Sequence, residues 1–246
     1  MANPLFYNRV VPLNTEAHRE LRLGAVERPY GFAASANLIP ALLEEFSAAA
    51  PFMPIAFLPG AQNPAPVFVT GLRPGQNLLV GEDGRWSDGY LPAYLRRYPF
   101  IMGDVPQGDP ILCIDESFPG FGKIEGERLF SESGKATQIV TNALTLAESY
   151  RLSARRAEEF ASTLQQMKLF RSVTLDAKTP GGPSTVVHGL LVVDEGAFDA
   201  LSDEDLLALH HKQFLKPIFT HLASLAAVAR LGDLLRDTQV PVAAAG

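Results

Sequence analysis

Aromatic rings and guanidinium groups crowd one stretch of the chain, DGRWSDGYLPAYLRRYPF, residues 83–100. It holds the only tryptophan, Trp86, and three of the six tyrosines, Tyr90, Tyr94 and Tyr98, together with Arg85, Arg96 and Arg97. Rigid rings offer much contact area for little lost side-chain entropy, and Trp, Tyr and Arg dominate interface hot spots. The block therefore reads as a recognition surface for a peptide, a protein or a small ligand, and stacked rings suit a proline-rich segment. Trp86→Ala or Arg97→Ala is then expected to abolish binding and leave the fold largely intact. The competing reading is packing, with Trp86, Tyr90 and Phe100 in the core and Arg96 and Arg97 solvating its edge.

Other reactive groups are sparse. Asp115 and Glu116 follow the apolar run ILCID, and polar residues at a strand end often line a site. Paired with Arg96 or Arg97 they would form a salt bridge or a carboxylate–arginine pocket. Cys113 lies inside that run without a base nearby in sequence, so it reads as a small buried hydrophobe. The five histidines form no H-E-x-x-H, so no metal is expected. His188, within an apolar strand, reads as a core histidine held by a backbone group. Gly134-Lys135-Ala136-Thr137 fails as a phosphate loop, because Ala136 stands where Ser or Thr is needed and Leu129 where Gly is needed. No G-x-G-x-x-G occurs. No cofactor is expected, and no residue is assigned a catalytic role.

The elements that position these groups follow from periodicity and punctuation. Asn14 can cap a short helix to about Glu20. Asn37 can cap another to about Ala48, with Leu38, Leu42 and Phe46 facing a core. MPIAFL, APVFVTGL, NLLV and PILCID read as strands, with a hairpin turn at Glu82-Asp83-Gly84-Arg85. A short helix from near Gly89, with Pro92 in its first turn, would place Tyr90, Tyr94 and Arg97 on one face and Arg96 elsewhere. Residues 118–134 read as an ordered loop, Thr137 to Tyr150 as a helix, and residues after Ser153 as a second one bearing Phe160, Leu164 and Met167. Phe170 to Leu175 and Thr185 to Val193 make a hairpin around the turn at residues 180–183. Ser202 and Asp205 start a helix. A final helix carries Phe214, Ile218, Leu222, Leu225 and Ala229 on one side. The class is α+β: one domain, 1–238, with a mixed or antiparallel sheet in the first half, a helical insert, a further β-hairpin and C-terminal helices, then a flexible tail, 239–246.

Composition narrows the function. The 246 residues are 47% hydrophobic and 20% charged, as in a soluble globular protein. A net charge of −6 argues against nonspecific nucleic-acid binding, which needs cations to neutralise phosphates. The single cysteine, Cys113, fits a reducing compartment, and Met1 to Leu13 lacks the apolar core of a secretion signal. The longest apolar run, Leu222 to Ala229, stops at Arg230, short of the ~20 residues that cross a bilayer. These features point to a cytoplasmic protein without a membrane span, and they leave a homo-oligomer open.

The run from Gly84-Arg85-Trp86 to Arg96-Arg97-Tyr98-Pro99-Phe100 resembles the SapC family, a bacterial group named from an S-layer locus. The resemblance continues through Pro12-Leu13-Asn14 and His18, and through Cys113-Ile114-Asp115 to the closing helices. It implies an accessory or binding protein serving nutrient uptake or small-molecule or peptide modification. Two alternatives remain: an enzyme or enzyme component at a carboxylate–arginine site, and a cytosolic helper in surface-layer assembly or export. Some relatives carry a transporter-permease label, at odds with the short apolar runs here.

Overall fold

The computed structural model describes residues 4–87, 89–105, 108–177 and 185–238. The first half holds β1 (Val10–Pro12), α1 (Thr15–His18), β2 (Arg22–Leu23), β3 (Leu38–Pro40), α2 (Phe46–Ala49), β4 (Ile55–Leu58), β5 (Ala65–Val69), α3 (Ala93–Arg96), β6 (Phe100–Gly103) and β7 (Ile111–Asp115). Then come β8 (Phe121–Gly122), β9 (Glu127–Arg128), α4 (Gln138–Gln166), β10 (Phe170–Ala177) and β11 (Thr185–Val193). The chain closes with α5 (Glu195–Asp199), α6 (Asp203–His211), α7 (Leu215–Ser224) and α8 (Val228–Asp237). The turn at residues 180–183 and the tail at 239–246 lie outside the described residues.

The architecture is α+β and antiparallel, in three sheets: β10-β11-β4-β5-β3, β1-β7-β6 and β8-β2-β9. In the five-stranded sheet Ile55 pairs with Phe68 and Ala56 with Val67. Alternation sends Ile55, Phe57 and Phe68 to one face, where Phe160, Leu164, Phe214 and Ile218 cover them. The opposite face, with Ala56, Val67 and Val69, is covered by Leu231 and Leu235 of α8. Burial on both faces explains why MPIAFL and APVFVTGL are nearly continuous apolar runs.

Helix α4 joins this sheet to the smaller one. Its 29 residues span roughly 43 Å. Val140 and Ala147 near its start pack on Phe100, Leu112 and Ile114, while Ala157, Phe160, Ala161 and Leu164 enter the main core. It is one helix, where the sequence suggested two. Ser153 marks no break, because Ala147, Tyr150, Ala157, Phe160 and Leu164 keep their burial at helical spacing across it.

Other expectations are corrected. Residues 38–40 form no helix: Leu38, Ile39 and Pro40 pair with Val69, Phe68 and Val67 at the sheet edge. Pro40 would break a helix interior but is tolerated on an edge strand. Only a 3-10 turn at Leu43–Glu45 and α2 follow. NLLV contributes a lone bridge, Val80 to Trp86, across the turn where Gly84 takes φ +73°. The loop at 118–134 contains β8 and β9, both paired with β2. Asn14 caps α1 through Ala17 N, and Ser202 caps α6 through Asp205 N, as their side-chain chemistry suggested.

The helical stretch Leu215–Asp237 is long and apolar enough to cross a membrane by length and composition, with mean hydropathy 1.4 in its best window, unlike the expectation from the shorter run. One third of that window is buried in the fold. On its inner face, Ser224 Oγ accepts from Ile55 N at 2.9 Å. His221 Nε2 accepts from Val193 N at 3.0 Å, and Nδ1 donates to Ile55 O at 3.0 Å. His221 is thus the core histidine held by backbone groups. His188 is exposed, beside Thr174 Oγ1 at 3.4 Å; it sits next to Gly189, where β11 takes φ +76°, while the flanking Val187 and Leu190 pack inward with Leu231 and Leu235.

Candidate functional site

The aromatic–arginine block is built around α3, a single turn whose first amide, Ala93 N, donates to the buried carboxylate of Glu45 at 2.6 Å. Pro92 is the residue before this turn, not inside it. Glu45 also accepts from Tyr90 Oη at 2.9 Å and from Leu42 N at 3.1 Å. Burial pushes its carboxyl up, and these hydrogen bonds with the nearby Arg96 charge offset only part of that. Arg96 Nη2 donates to Tyr90 Oη at 3.1 Å and lies over the Tyr90 ring. Burial, then the charge of Glu45, pushes the Tyr90 phenol up to about 12.

Tyr90 precedes the helical turn, so it meets Arg96. The sequence placed Tyr90 with Arg97 instead. Arg97 turns inward, only 9% exposed. Its guanidinium carbon sits 3.9 Å from the ring centre of Tyr150, 4.4 Å from that of Tyr94 and 5.8 Å from that of Tyr7. These rings are themselves fixed: Tyr94 Oη donates to Leu5 O at 3.0 Å and Tyr7 Oη to Phe100 O at 2.8 Å. Negative ring faces hold the cation, yet Arg97 Nε has no hydrogen-bond partner. Among the described residues no carboxylate forms an ion pair with it.

Tyr98 links the block to β7. Its ring packs against Phe32, Tyr7 and Phe118 at 4.3, 5.2 and 5.3 Å, and its hydroxyl donates to Asp115 Oδ2 at 3.3 Å. Burial, then the Asp115 charge, pushes its phenol up to about 12. Trp86 is half-buried against Tyr30, 6.4 Å between ring centres. Arg85 is exposed and pairs with Asp83.

Asp115 and Glu116 do not join the arginines of the block. Asp115 is 0% exposed and accepts from Asn8 N, Arg9 N, Ser117 N and Ser117 Oγ at 2.8, 3.0, 3.0 and 2.6 Å. Burial alone would raise its carboxyl, but these donors outweigh it and hold the group below the usual range. Glu116 meets Arg9 Nε at 3.1 Å and His18 Nε2 at 3.3 Å. Both carboxylates therefore fasten the N-terminal segment to β7. Cys113 is buried beside Tyr7 and Ile101, and burial pushes its thiol up. Among the described residues no group of three His, Cys, Asp or Glu side chains is placed to hold a metal.

The block reaches the surface in one open groove of about 490 Å³. One wall is residues 96–100, bringing Arg96, Arg97 and Tyr98 together; the others are residues 23–26 with Pro29, Phe118, and Asn142, Ala143 and Leu146 of α4. Trp86, Tyr90, Tyr94, Asp115 and Glu116 are not among its lining residues. Sequence reasoning missed Glu45, Tyr7 and Tyr150, which come from distant parts of the chain. Their only local signal is the place of Tyr150 on the helical stripe that leads to Phe160.

The fold and groove define an α+β protein with a cation-bearing cleft. Residues 13–231 match the model of the SapC family, and the chain belongs to that family. No curated protein and no solved structure matches it.

Proposed function

We propose that this protein is a noncatalytic binding or accessory protein, cytoplasmic in keeping with its single cysteine, whose recognition site is the groove at the edge of the aromatic–arginine block. The observation that carries this reading is the composition of the groove. Arg96, Arg97 and Tyr98 share one wall, and among the described residues the lining contains no Asp, Glu, His, Cys, Ser, Thr or Lys. Of the groups that serve general acid–base or nucleophilic catalysis, the lining offers the Tyr98 phenol, which burial and the Asp115 charge push up to about 12 and so away from ready proton transfer. Recognition needs only shape, apolar surface and a few convergent polar groups, which the groove has. A volume of about 490 Å³ falls in the usual range for small-ligand sites, roughly 300–1,000 Å³.

The test is native purification from source cells, comparing the wild type with Ala143→Arg, whose side chain would fill the groove from the α4 wall. Mass spectrometry should find a species retained by the wild type and missing from the variant. An identical set of bound species in both folded proteins would contradict the reading.

A further inference from the structure

The charges in and behind the groove specify what it holds. Among the described residues Arg96 and Arg97 are the only charged ones lining it, in a chain whose net charge is −6. The charge of Arg96 is felt by Glu45 across the Tyr90 hydroxyl. Arg97 has no such balance. Among the described residues it is the most buried of the four arginines whose Nε is buried without an acceptor, the others being Arg128, Arg151 and Arg230. Removing a cation from water is costly unless it is both paired and hydrogen-bonded. Ring faces supply part of the compensation and no acceptor for the N–H groups.

Three other buried ionisable groups have their hydrogen-bond partners. Glu45 has three donors, Asp115 has five, and both nitrogens of His221 are bonded. Arg97, which lines the groove, has no partner at Nε.

Resting on the binding reading above, we propose that the ligand is an amphipathic carboxylate: a carboxylate group held by Arg97 and Arg96, carried on an apolar body that lies along the groove. A planar carboxylate matches the fork of a guanidinium and brings the charged acceptor that the Tyr94 hydroxyl and the ring faces do not give Arg97. Leu23, Val26, Pro29, Phe100, Phe118 and Leu146 form apolar walls, which an inorganic anion would leave uncovered.

Titration calorimetry with octanoate, octanol and inorganic phosphate tests this. Octanoate should bind at least tenfold more tightly than octanol, inorganic phosphate should not bind measurably, and added salt should weaken octanoate binding. Arg96→Gln, an exposed substitution that leaves the core alone, should weaken octanoate roughly 10- to 100-fold, the size of a lost charge-assisted hydrogen bond. Arg97→Met should weaken it at least as much, with folding checked by circular dichroism; if that variant fails to fold, Arg96→Gln decides. N-acetyl-Leu-Phe as free acid and as amide separates a peptide C-terminus from a free small-molecule acid as the source of the carboxylate. Equal affinities for octanoate and octanol, no octanoate binding at all, or unchanged affinity in Arg96→Gln would each overturn the carboxylate. If Ala143→Arg still releases a natural ligand in those cases, the binding reading survives and only its chemistry is wrong.

Discussion

Asp115 and Arg97 are both buried charges, and the chain surrounds them in opposite ways. Asp115 is fully enclosed, and backbone and hydroxyl donors reach it from Asn8, Arg9, Tyr98 and Ser117. It closes the junction between β7 and the N-terminal segment, and nothing about it asks for a further partner. Arg97 is enclosed almost as deeply, yet its neighbours are ring faces and the Tyr94 hydroxyl, with no ion-paired carboxylate among the described residues. The contrast separates a charge that completes the fold from one that the fold leaves incomplete at Nε. The second lines the groove.

Four outcomes would sharpen or break that contrast. Asp115→Ala should cost the most, about 4 kcal/mol in a urea melt, because three backbone N–H groups and two hydroxyls lose their charged acceptor together. Little or no change would mean that the network around Asp115 does not hold the N-terminal segment. His221, completed like Asp115, should show up in the pH dependence. Burial lowers its folded pKa from the usual 6.5 to about 4, so the folded state binds fewer protons between those values. Its contribution is fully present above pH 6.5 and falls by about 3 kcal/mol as the pH drops to 4. A pH series of denaturant midpoints should show that slope, and His221→Gln should remove it.

Trp86→Ala comes next. It should lower stability by about 2 kcal/mol through lost packing on Tyr30, while leaving binding unchanged because Trp86 does not line the groove. That reverses the expectation drawn from the sequence, where loss of Trp86 abolished binding. Smallest should be Arg97→Met, which loses cation–π attraction but also relieves an unpaired buried charge. Its stability should move by no more than about 1 kcal/mol in either direction. A loss comparable to that of Asp115→Ala would place Arg97 among the finished structural charges.

The fold was readable where its signals are local. Asp83-Gly84 marks a turn, Asn14 and Ser202 mark helix starts, and the two apolar runs around residues 55–69 mark strands, because each depends on neighbours in sequence. The segment after Asn37 misled because Leu38, Leu42 and Phe46 match helical spacing, while the competing sheet partner, β5, lies some 30 residues on. The site was readable as a block, since its rings and arginines are contiguous, but its orientation was not. Whether Arg96 or Arg97 turns inward is decided by Tyr7 from the N-terminal segment, Tyr150 from the middle of α4, and Glu45, none of which the block itself announces. His188 was taken for the core histidine, and His221 passed over, for the same reason. An apolar strand neighbourhood does not reveal which histidine another element covers.

The most direct measurement is a ¹H–¹⁵N spectrum of the arginine side chains during an octanoate titration, with Arg97 Nε assigned by substitution. The expected result is an Arg97 Nε–H signal that shifts saturably with octanoate, with the same dissociation constant as calorimetry gives, and stays still with octanol. An Arg97 signal unmoved at octanoate saturation would contradict the central claim, because the cation left incomplete by the fold would then not be the one that the ligand completes.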